Sequence, residues 1–390
     1  MDDERVLAAV ESKRDAALEA HRFVHEHPEL AHEEHECARY LAGVLEQAGL
    51  EVERGIAGMD TAFRATLTGA RTGRSVGLVA LYDAVPVFRP DGTIEPVHSC
   101  GHDAIAAGVL ATALALADLR EELGGSLVVF GCPADEIPAP RMVERGGGKA
   151  LSAAAGLWDE IDAALYAHPE FEDTVVLRSR WMRRDRAMVT GTRSLTGGRE
   201  APLEAVLAAI AAVRTLPPAN AIVEHLALDG DVEEGGGLAL RAHLLLRADE
   251  EAELEALAAV LRNALPDAVW ESDPVVCGLK PDEHVRQAVK DAVLALGRDF
   301  VDEPAPLPFG TDFGNVSQRV PAALIGIGRP GGWAFHTDEG AAQFAADGID
   351  AALTMAAVLA LAAMRLTEVP AGLGKPRLRG RRRRAGSRAG

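Results

Sequence analysis

The chain has 390 residues, of which 48% are hydrophobic, and its formal net charge at pH 7 is −19. This length and composition predict a globular protein whose large core is shared between two or three domains. The acidic charge argues against nucleic acid as the main partner. No run of 18 consecutive apolar residues occurs, and the acidic segment Met1–Glu4 is unlike the start of a signal peptide, so we expect a cytoplasmic protein with no membrane partner.

The cysteines are too few and too widely spaced for a disulfide framework, which favours free or metal-bound thiols in a reducing compartment. They are Cys37, Cys100, Cys132 and Cys277. The last sixteen residues of the chain contain eight lysines and arginines and no acidic residue. We interpret residues 371–390 as a disordered basic tail in preference to a site for an anionic partner.

The first half of the chain predicts helices and strands in alternation. Apolar residues recur at helical spacing over residues 5–48, with an interruption at His27-Pro28, which predicts a helix, a turn and a second helix. Short apolar runs then predict strands with one buried helix among them. The strands are Thr61–Leu67, Ser75–Leu81, Ser126–Phe130 and Leu165–His168, and the helix is Ala104–Leu119. This alternation predicts a largely parallel sheet, whose carboxyl edge is the usual place for a binding site.

A different pattern follows the charged segment Arg183–Arg186. It predicts a strand, an Ala-rich helix, two strands and a helix, which together suit a small α+β domain inserted into a larger one. These elements are Ala187–Gly191, Pro202–Leu216, Ala221–Leu228, Gly237–Leu246 and Glu250–Leu265. The larger domain resumes with predicted helices at Glu283–Gly297 and Ala341–Leu366. We therefore expect a large α/β domain over residues 1–183 and 281–370 and an inserted domain over 184–280.

The segment His98–Asp103 carries a thiol and two imidazoles within five positions. Cys100 and His102 are two residues apart, so both side chains can reach one ion from a loop or from the start of a helix, and both are good ligands for zinc-like ions. Taken alone, the segment is equally compatible with a buried cysteine beside a packed histidine.

Further potential ligands and acid-base groups follow predicted strands or lie near the end of the chain. They are Asp83, Asp135, Glu136, His168 and His336. Each one alone is also compatible with a cap or a solvated strand end. Together with Cys100 and His102 they suffice to hold two divalent ions about 3.5–4 Å apart and to leave a water molecule for attack.

The order of these motifs resembles the aminoacylase/carboxypeptidase family of dinuclear metallopeptidases, and in particular its amidohydrolase branch, which includes indole-acetyl-amino-acid hydrolases and aminobenzoyl-glutamate hydrolase. The resemblance extends from about residue 5 to residue 366. The matching stretches are His25–Leu30, Tyr82–Ala84, His98–Asp103, Pro133–Glu136 with Gly146–Lys149 behind it, Ala167–Pro169, Gly310–Ser317 and His336-Thr337. It implies a zinc-exopeptidase-like α/β fold with a mixed, mostly parallel sheet, and an inserted α+β lid through which the protein forms a homodimer.

The resemblance also implies a metal centre. The positions that match the family's ligands are Cys100, His102, Glu136, His168 and His336. We expect two divalent metal ions, with zinc favoured by the thiolate and imidazole ligands and with manganese or cobalt as alternatives. Asp83 matches the carboxylate that orients the site, in agreement with the rule that a ligating imidazole gives its other N–H to a carboxylate or carbonyl.

Other matched positions concern the reaction and the substrate. Asp135 matches the general base that takes a proton from the metal-bound water and passes it to the leaving amine. Thr311, Asp312 and Asn315 would line the substrate pocket, as the resemblance suggests. Arg247 is a separate candidate for holding a substrate carboxylate, because arginine binds that group in bidentate fashion.

The chain departs from the family pattern at two positions. Asp135 stands where the family has glutamate, and its carboxylate is one methylene shorter, whereas a general base must approach the water to within about 2.6–3.2 Å. Leu195 stands where the family has a histidine that reaches across the dimer to the substrate. Loss of such a donor typically lowers the rate by about a hundred- to a thousand-fold. Arg193 could replace it as a cation, although we interpret it as a solvated turn residue.

Three hypotheses about function remain open from the sequence. The first is metal-dependent hydrolysis of the amide bond in a small molecule such as an N-acyl amino acid, an aryl-amino acid or a dipeptide. The second uses the same site for amide formation, cyclisation or lyase chemistry on a related amino-acid derivative. The third is a metal-stabilised binding protein without turnover. We prefer the first, because all five ligand positions are present.

Overall fold

The protein is described from a computed structural model that covers residues 2–192, 201–230 and 237–368. Its strands are β1 Glu51–Arg54, β2 Phe63–Thr68, β3 Arg71–Ala80, β4 Val85–Phe88, β5 Ile94–Val97, β6 Gly124–Gly131, β7 Ala163–Glu170, β8 Trp181–Thr192, β9 Ala221–Gly230, β10 Gly237–Ala248, β11 Val269–Ser272 and β12 Ala322–Gly328. Its helices are α1 Asp3–Glu11, α2 Arg14–Glu26, α3 His35–Gln47, α4 His102–Asp118, α5 Pro140–Arg145, α6 Gly148–Ala154, α7 Ala201–Thr215, α8 Glu251–Ala264, α9 Glu283–Ala295, α10 Phe313–Ser317 and α11 Asp338–Thr367, with a short 3-10 turn at Ile56–Gly58.

The larger sheet has the strand order β1-β2-β6-β3-β7-β12. The strands β6, β3, β7 and β12 run parallel to one another, whereas β2 is antiparallel to β6 and β1 is antiparallel to β2. The inner strands are apolar and buried along most of their length, as expected for parallel strands covered on both faces. The prediction of a mixed, mostly parallel sheet is therefore confirmed, and it brings the carboxyl ends of β3, β6 and β7 to one edge.

Two Ala-rich helices, α4 and α11, pack on each other and on β3. Small side chains let their backbones approach closely: a Cβ atom placed on Gly108 would lie 2.8 Å from the backbone oxygen of Ala352. α11 is long and apolar enough to cross a membrane by length and composition, but 78% of its most apolar window is buried inside the protein. Its apolar composition is thus accounted for by its place in the core.

The second sheet is antiparallel, with the strand order β11-β8-β10-β9. The helices α7 and α8 pack against it and bury two small apolar clusters, one with Leu244 and Leu254 and one with Leu240. β8 is longer than predicted and begins at Trp181. The charged residues at its start are compatible with a strand because they are paired: Arg183 binds Asp185 on its own strand, at 2.7 Å.

The N-terminal segment differs from the prediction of one helix before His27-Pro28. The chain forms two helices, α1 and α2, which are separated at Ser12 and Lys13. Their helical spacing continues across the turn, which is why the sequence pattern alone predicts one element.

Candidate active site

The predicted ligand residues lie at the carboxyl edge of the larger sheet or in the loops beside it. Asp83 follows β3, Asp135 and Glu136 follow β6, and His168 lies near the end of β7. His102 is the first residue of α4, Cys100 lies two residues before it, and His336 lies two residues before α11. These elements are far apart in the sequence, and the strand order brings their ends together.

The donor atoms form two groups that share one thiol. In the first group, Cys100, His102 and His168 each offer an atom within 4.8 Å of the others, and in the second Cys100, Glu136 and His336 do so. The Sγ atom of Cys100 lies 3.7 Å from Nε2 of His168 and 3.4 Å from Nε2 of His336. All five predicted metal ligands therefore lie in one cluster.

Hydrogen bonds made by Nδ1 of His102 and of His168 determine which ring nitrogen of each residue faces the cluster. Nδ1 of His102 donates to the backbone oxygen of Asp83 at 2.8 Å and lies 2.9 Å from its Oδ1 atom. Nδ1 of His168 donates to the backbone oxygen of Pro169 at 2.6 Å. In both residues Nε2 is left for the cluster, which is the arrangement of metal-binding histidines.

The same cluster leaves buried polar atoms without a protein partner. Nε2 of His102 and Oε1 of Glu136 are both buried and make no hydrogen bond with any other described residue, although they lie 3.7 Å apart. Buried polar groups are normally hydrogen-bonded or bound to an ion. An imidazole nitrogen, a carboxylate oxygen and a thiol that converge in this way fit a divalent metal ion.

The electrostatics of the cluster also fit a cation. Burial and the neighbouring Cys100 raise the pKa of Glu136 well above its usual value. Burial opposes ionisation of the Cys100 thiol, but the adjacent imidazoles of His102, His168 and His336 outweigh it and lower the pKa of Cys100 well below its usual range. A bound cation would allow both acids to be ionised together.

Asp135 lies beside the cluster and is held in the ionised state. Burial alone would raise the pKa of Asp135, but the charges of Lys149 and His102 lower it to about 2. Its Oδ2 atom lies 3.6 Å from Nε2 of His102. Its backbone N–H and that of Glu136 both donate to Oδ2 of Asp83, at 2.7 and 2.9 Å. Asp83 thus contacts both His102 and the loop that carries Asp135.

A cavity of about 190 Å³ opens onto the cluster. Its metal-ligand end is formed by Cys100, Glu136, His168 and His336 together with Asp135. The remaining wall is mainly apolar and includes Ile137, Met142, Met182, Val276, Leu307, Phe309 and Leu324. The wall combines residues from the larger sheet with residues from β8 and from the segment after β11.

The four predicted substrate-binding residues differ in where they lie. Thr311 and Asp312 line the cavity. Asn315 does not line it, and its side chain instead bonds the backbone of Cys277 and Val275 at 3.1 and 3.0 Å. Arg247 also lies outside the lining, where its Nη1 atom donates to the backbone oxygen of Pro308 at 2.9 Å. Leu195 and Arg193 are outside the described residues.

Comparison with known proteins identifies the family. Residues 78–365 match the model of peptidase family M20/M25/M40. The chain belongs to this family. The resemblance recognised in the sequence motifs is thereby confirmed.

Two curated relatives illustrate the range of M20 proteins similar to this chain. One component of the p-aminobenzoyl-glutamate hydrolase of Escherichia coli is 30% identical over 173 residues, which are 42% of this chain and 34% of that protein. The N-acetyl-L-cysteine deacetylase of Bacillus subtilis is 22% identical over 353 residues, or 81% of this chain and 80% of the relative. The chain spans only about a third to two fifths of the length of the first curated relatives that it matches.

Solved M20 structures share the fold across nearly the whole chain. The Bacillus subtilis YXEP protein, described as a dinuclear metal-binding peptidase of the M20 family, has a TM-score of 0.67 and 20% identity over 91% of this chain and 99% of its own. The aminobenzoyl-glutamate utilization protein from Klebsiella pneumoniae also has a TM-score of 0.67, with 15% identity over 91% of this chain and 97% of its own. At these identities the likeness concerns the fold.

Two buried titratable residues of the site have no assigned role in the sequence-based predictions. Glu34 is fully buried, and its Oε1 atom accepts from the backbone N–H of Ala134, next to Asp135, at 2.9 Å. Lys149 is also fully buried and is paired with Asp135 and Asp312. Lys149 lies in a stretch that matches the M20 pattern, so its position was visible in the sequence, but its partner Asp312 is 163 residues away.

Proposed function

We propose that this M20 protein is a metal-dependent amidohydrolase that cleaves the amide bond of a small molecule. The observation that supports this proposal best is the convergence of five ligand-type side chains beside an ionised aspartate, at the end of a mainly apolar cavity. The relatives named as hydrolases and deacetylases support the same reaction class.

We assign the metal ligands to the five clustered side chains. They are Cys100, His102, Glu136, His168 and His336. Cys100 belongs to both groups of donor atoms, which makes it the candidate for a ligand shared by two ions. When bound, two divalent ions would polarise the amide carbonyl and lower the pKa of a water molecule. A thiolate with three imidazoles favours zinc, and manganese or cobalt are the alternatives.

The protein's own residues would move the proton and hold the ligands in place. Asp135, through Oδ2, is the proposed base that accepts the proton of the attacking water and later gives it to the leaving amine. Its low pKa keeps the carboxylate in the ionised form at neutral pH. Asp83 would keep the His102 imidazole in the tautomer whose Nε2 atom binds the metal.

The cavity indicates the kind of acyl group. Its apolar wall, which includes Met182, Leu307 and Phe309, suits an aliphatic or aromatic acyl group, because such a group gains free energy when it leaves water. We therefore propose N-acyl amino acids, aryl-amino acids or dipeptide-like molecules with an apolar acyl side as substrates. Thr311 and Asp312 are the proposed contacts for the polar part of the substrate.

We further propose a cytoplasmic homodimer formed through the inserted domain, for which we retain the boundaries 184 and 280. On α7 the residues Leu203, Leu207 and Ile210 repeat at helical spacing and are 41–56% exposed. The neighbouring β9 is at the edge of its sheet and exposes Ile222 and Val223. An apolar helix face beside an edge strand is suited to pairing with a second copy. Size-exclusion chromatography with light scattering should give a dimer, and Leu207→Glu should give a monomer.

The function is tested by metal analysis together with hydrolysis assays. We expect about two divalent metal ions per chain, turnover of at least one member of a panel of N-acyl amino acids, aryl-glutamates and dipeptides, and loss of turnover after chelation. Asp135→Asn should lower kcat by about a hundred-fold or more while leaving the metal content unchanged, whereas the exposed Asp267→Asn should have no effect. Bound metal with amide formation but no hydrolysis would contradict the proposal, and so would bound metal with no reaction at all.

A further inference from the structure

A buried lysine that the proposed reaction does not use lies behind the proposed base. Lys149 is the second residue of α6 and is fully buried. Its Nζ atom forms ion pairs with Oδ1 of Asp135 and with Oδ1 of Asp312, the second at 2.7 Å. A buried ammonium group is costly unless it is paired and hydrogen-bonded. The two carboxylates therefore account for a charged lysine at this position and form a triad with it.

The backbone around Lys149 is built for this close approach. The backbone N–H of Ala150 donates to Oδ2 of Asp312 at 3.0 Å, so both oxygens of that carboxylate bind the start of α6. A Cβ atom placed on Gly147 would lie 2.3 Å from the same Oδ2 atom. Any residue other than glycine at position 147 would clash with the Asp312 carboxylate and force one of the two to shift.

The triad leaves the two oxygens of Asp135 with different surroundings. Oδ1 is bound by Lys149, whereas Oδ2 lies 3.6 Å from Nε2 of His102, on the side of the metal ligands. The backbone of Asp135 is fixed separately by Asp83. With one oxygen and the backbone both anchored, the direction of the second oxygen is determined. This matters more for aspartate than for glutamate, because the shorter side chain reaches less far toward the water.

Asp312 connects the triad to the substrate side of the cavity. It lines the cavity together with its neighbours Gly310 and Thr311. We propose that Lys149 is a positioning residue that holds Oδ2 of Asp135 toward the metal ligands and links it, through Asp312, to the wall that contacts the substrate. This inference rests on the proposed function, because it takes Asp135 as the base.

A double-mutant cycle tests the inference in the metal-loaded full-length chain. Lys149→Met and Asp135→Asn are made singly and together, and kcat and KM are measured with the best substrate of the panel. We expect Lys149→Met to lower kcat by about 30- to 100-fold with KM changed by less than about threefold, since misplacing a catalytic group by about 1 Å has effects of that size. In the Asp135→Asn background it should lower kcat by less than about threefold. Equal losses in both backgrounds would overturn the inference.

Lys290→Met is the matched control for removing a lysine. Its ammonium lies 3.8 Å from Asp302, near the surface and away from the cavity. This variant should keep the wild-type kcat and KM. A loss like that of Lys149→Met would mean that removal of any paired lysine has this effect, and would overturn the assignment to Lys149.

A charge-matched variant provides a readout that does not depend on activity. Lys149→Met alone leaves two carboxylates buried together, whereas Lys149→Met/Asp312→Asn removes one positive and one negative charge and is the variant to use if the single one does not fold. In its crystal structure we expect the Asp135 carboxylate to rotate so that Oδ2 no longer faces His102. An unmoved carboxylate would overturn the inference. If the wild-type protein cleaves no amide, the proposed function fails, and this crystal structure alone decides the positioning role.

Discussion

Glu34→Gln is the substitution with the best-defined expected effect on stability. Glu34 is fully buried, and its Oε1 atom accepts from the backbone N–H groups of His32 and Ala134, both at 2.9 Å. Its Oε2 atom accepts from the hydroxyl of Thr61 at 2.8 Å. Glutamine keeps one acceptor oxygen for the two N–H groups and can donate to the Thr61 hydroxyl. The variant therefore reproduces the protonated form of Glu34 and removes only the possibility of ionisation.

The pH dependence follows from the pKa of Glu34. Burial, with a smaller contribution from the charge of Asp83, raises this pKa from 4.5 to about 8. Between these two values the folded chain keeps a proton that the unfolded chain has lost. The stabilisation from this group is therefore fully present below pH 4.5 and is lost as the pH rises through 8. At about 1.4 kcal/mol for each unit of pKa difference, the loss is about 3–5 kcal/mol.

Urea unfolding of both proteins between pH 5 and pH 9 measures this difference directly. The two free energies of unfolding should agree within about 1 kcal/mol at pH 5, and Glu34→Gln should be more stable by about 3–5 kcal/mol at pH 9. Subtraction of the two curves cancels all other titrating groups. Glu33→Gln, at a partly exposed neighbour that pairs with Arg141, should show no such trend. A difference that is constant over this pH range would show that Glu34 titrates normally and would refute the reasoning.

The remaining predictions concern the metal centre and the core. His102→Ala should reduce the metal content measured by elemental analysis from about two ions per chain to about one, while His284→Ala on the surface leaves it unchanged. Gly108→Ala should lower the free energy of unfolding by about 1–3 kcal/mol, because its Cβ atom would meet the α11 backbone. Gly43→Ala, where nothing lies within 4 Å, should instead raise it by about 0.5–1 kcal/mol. Phe130→Ala, which loses a ring stacked on Trp158 at 4.0 Å, should lower it by about 3–5 kcal/mol, and urea titration checks all three.

The fold could be predicted where the local pattern decides the element. The buried helix expected at Ala104–Leu119 is α4, because a long run of small apolar residues ahead of charged residues fits few other structures. The sequence pattern does not predict the strand β12, because a seven-residue stretch with two glycines is equally typical of a loop until its pairing with β7 is known. The predicted strand at Ala187 begins later in the chain than β8, which begins at Trp181, for a related reason. The charges of Arg183 and Arg184 are neutralised by residues as distant as Glu255 and Glu224, which no local pattern reveals.

The site shows the same division between local and long-range information. The proposed ligand residues could be found because each lies in a short motif, and the parallel strand order brings the motifs together. Glu34 could not be found in this way, because it stands among His32, Glu33 and Glu36 and looks like part of a solvated face. Its buried side chain accepts a hydrogen bond from the backbone of Ala134, which lies 100 residues later in the chain. The role of Leu195 stays a prediction, since it lies outside the described residues.

The backbone at the site is strained at one proposed ligand, His336, and at Ala134, which directly precedes the proposed base. Ala134 and His336 have φ angles of 61° and 59°, a region that residues other than glycine rarely occupy, and each such residue costs about 1–3 kcal/mol. The backbone N–H of each donates a hydrogen bond that holds it in place: that of Ala134 to Oε1 of Glu34 at 2.9 Å, and that of His336 to the backbone oxygen of Ser99 at 2.9 Å. Since Ala134 directly precedes Asp135, the buried carboxyl group of Glu34 and the ammonium of Lys149 fix the proposed base from its backbone and from its side chain. Rigidity imposed from two sides explains how a base one methylene short can keep a defined position beside the metal ligands.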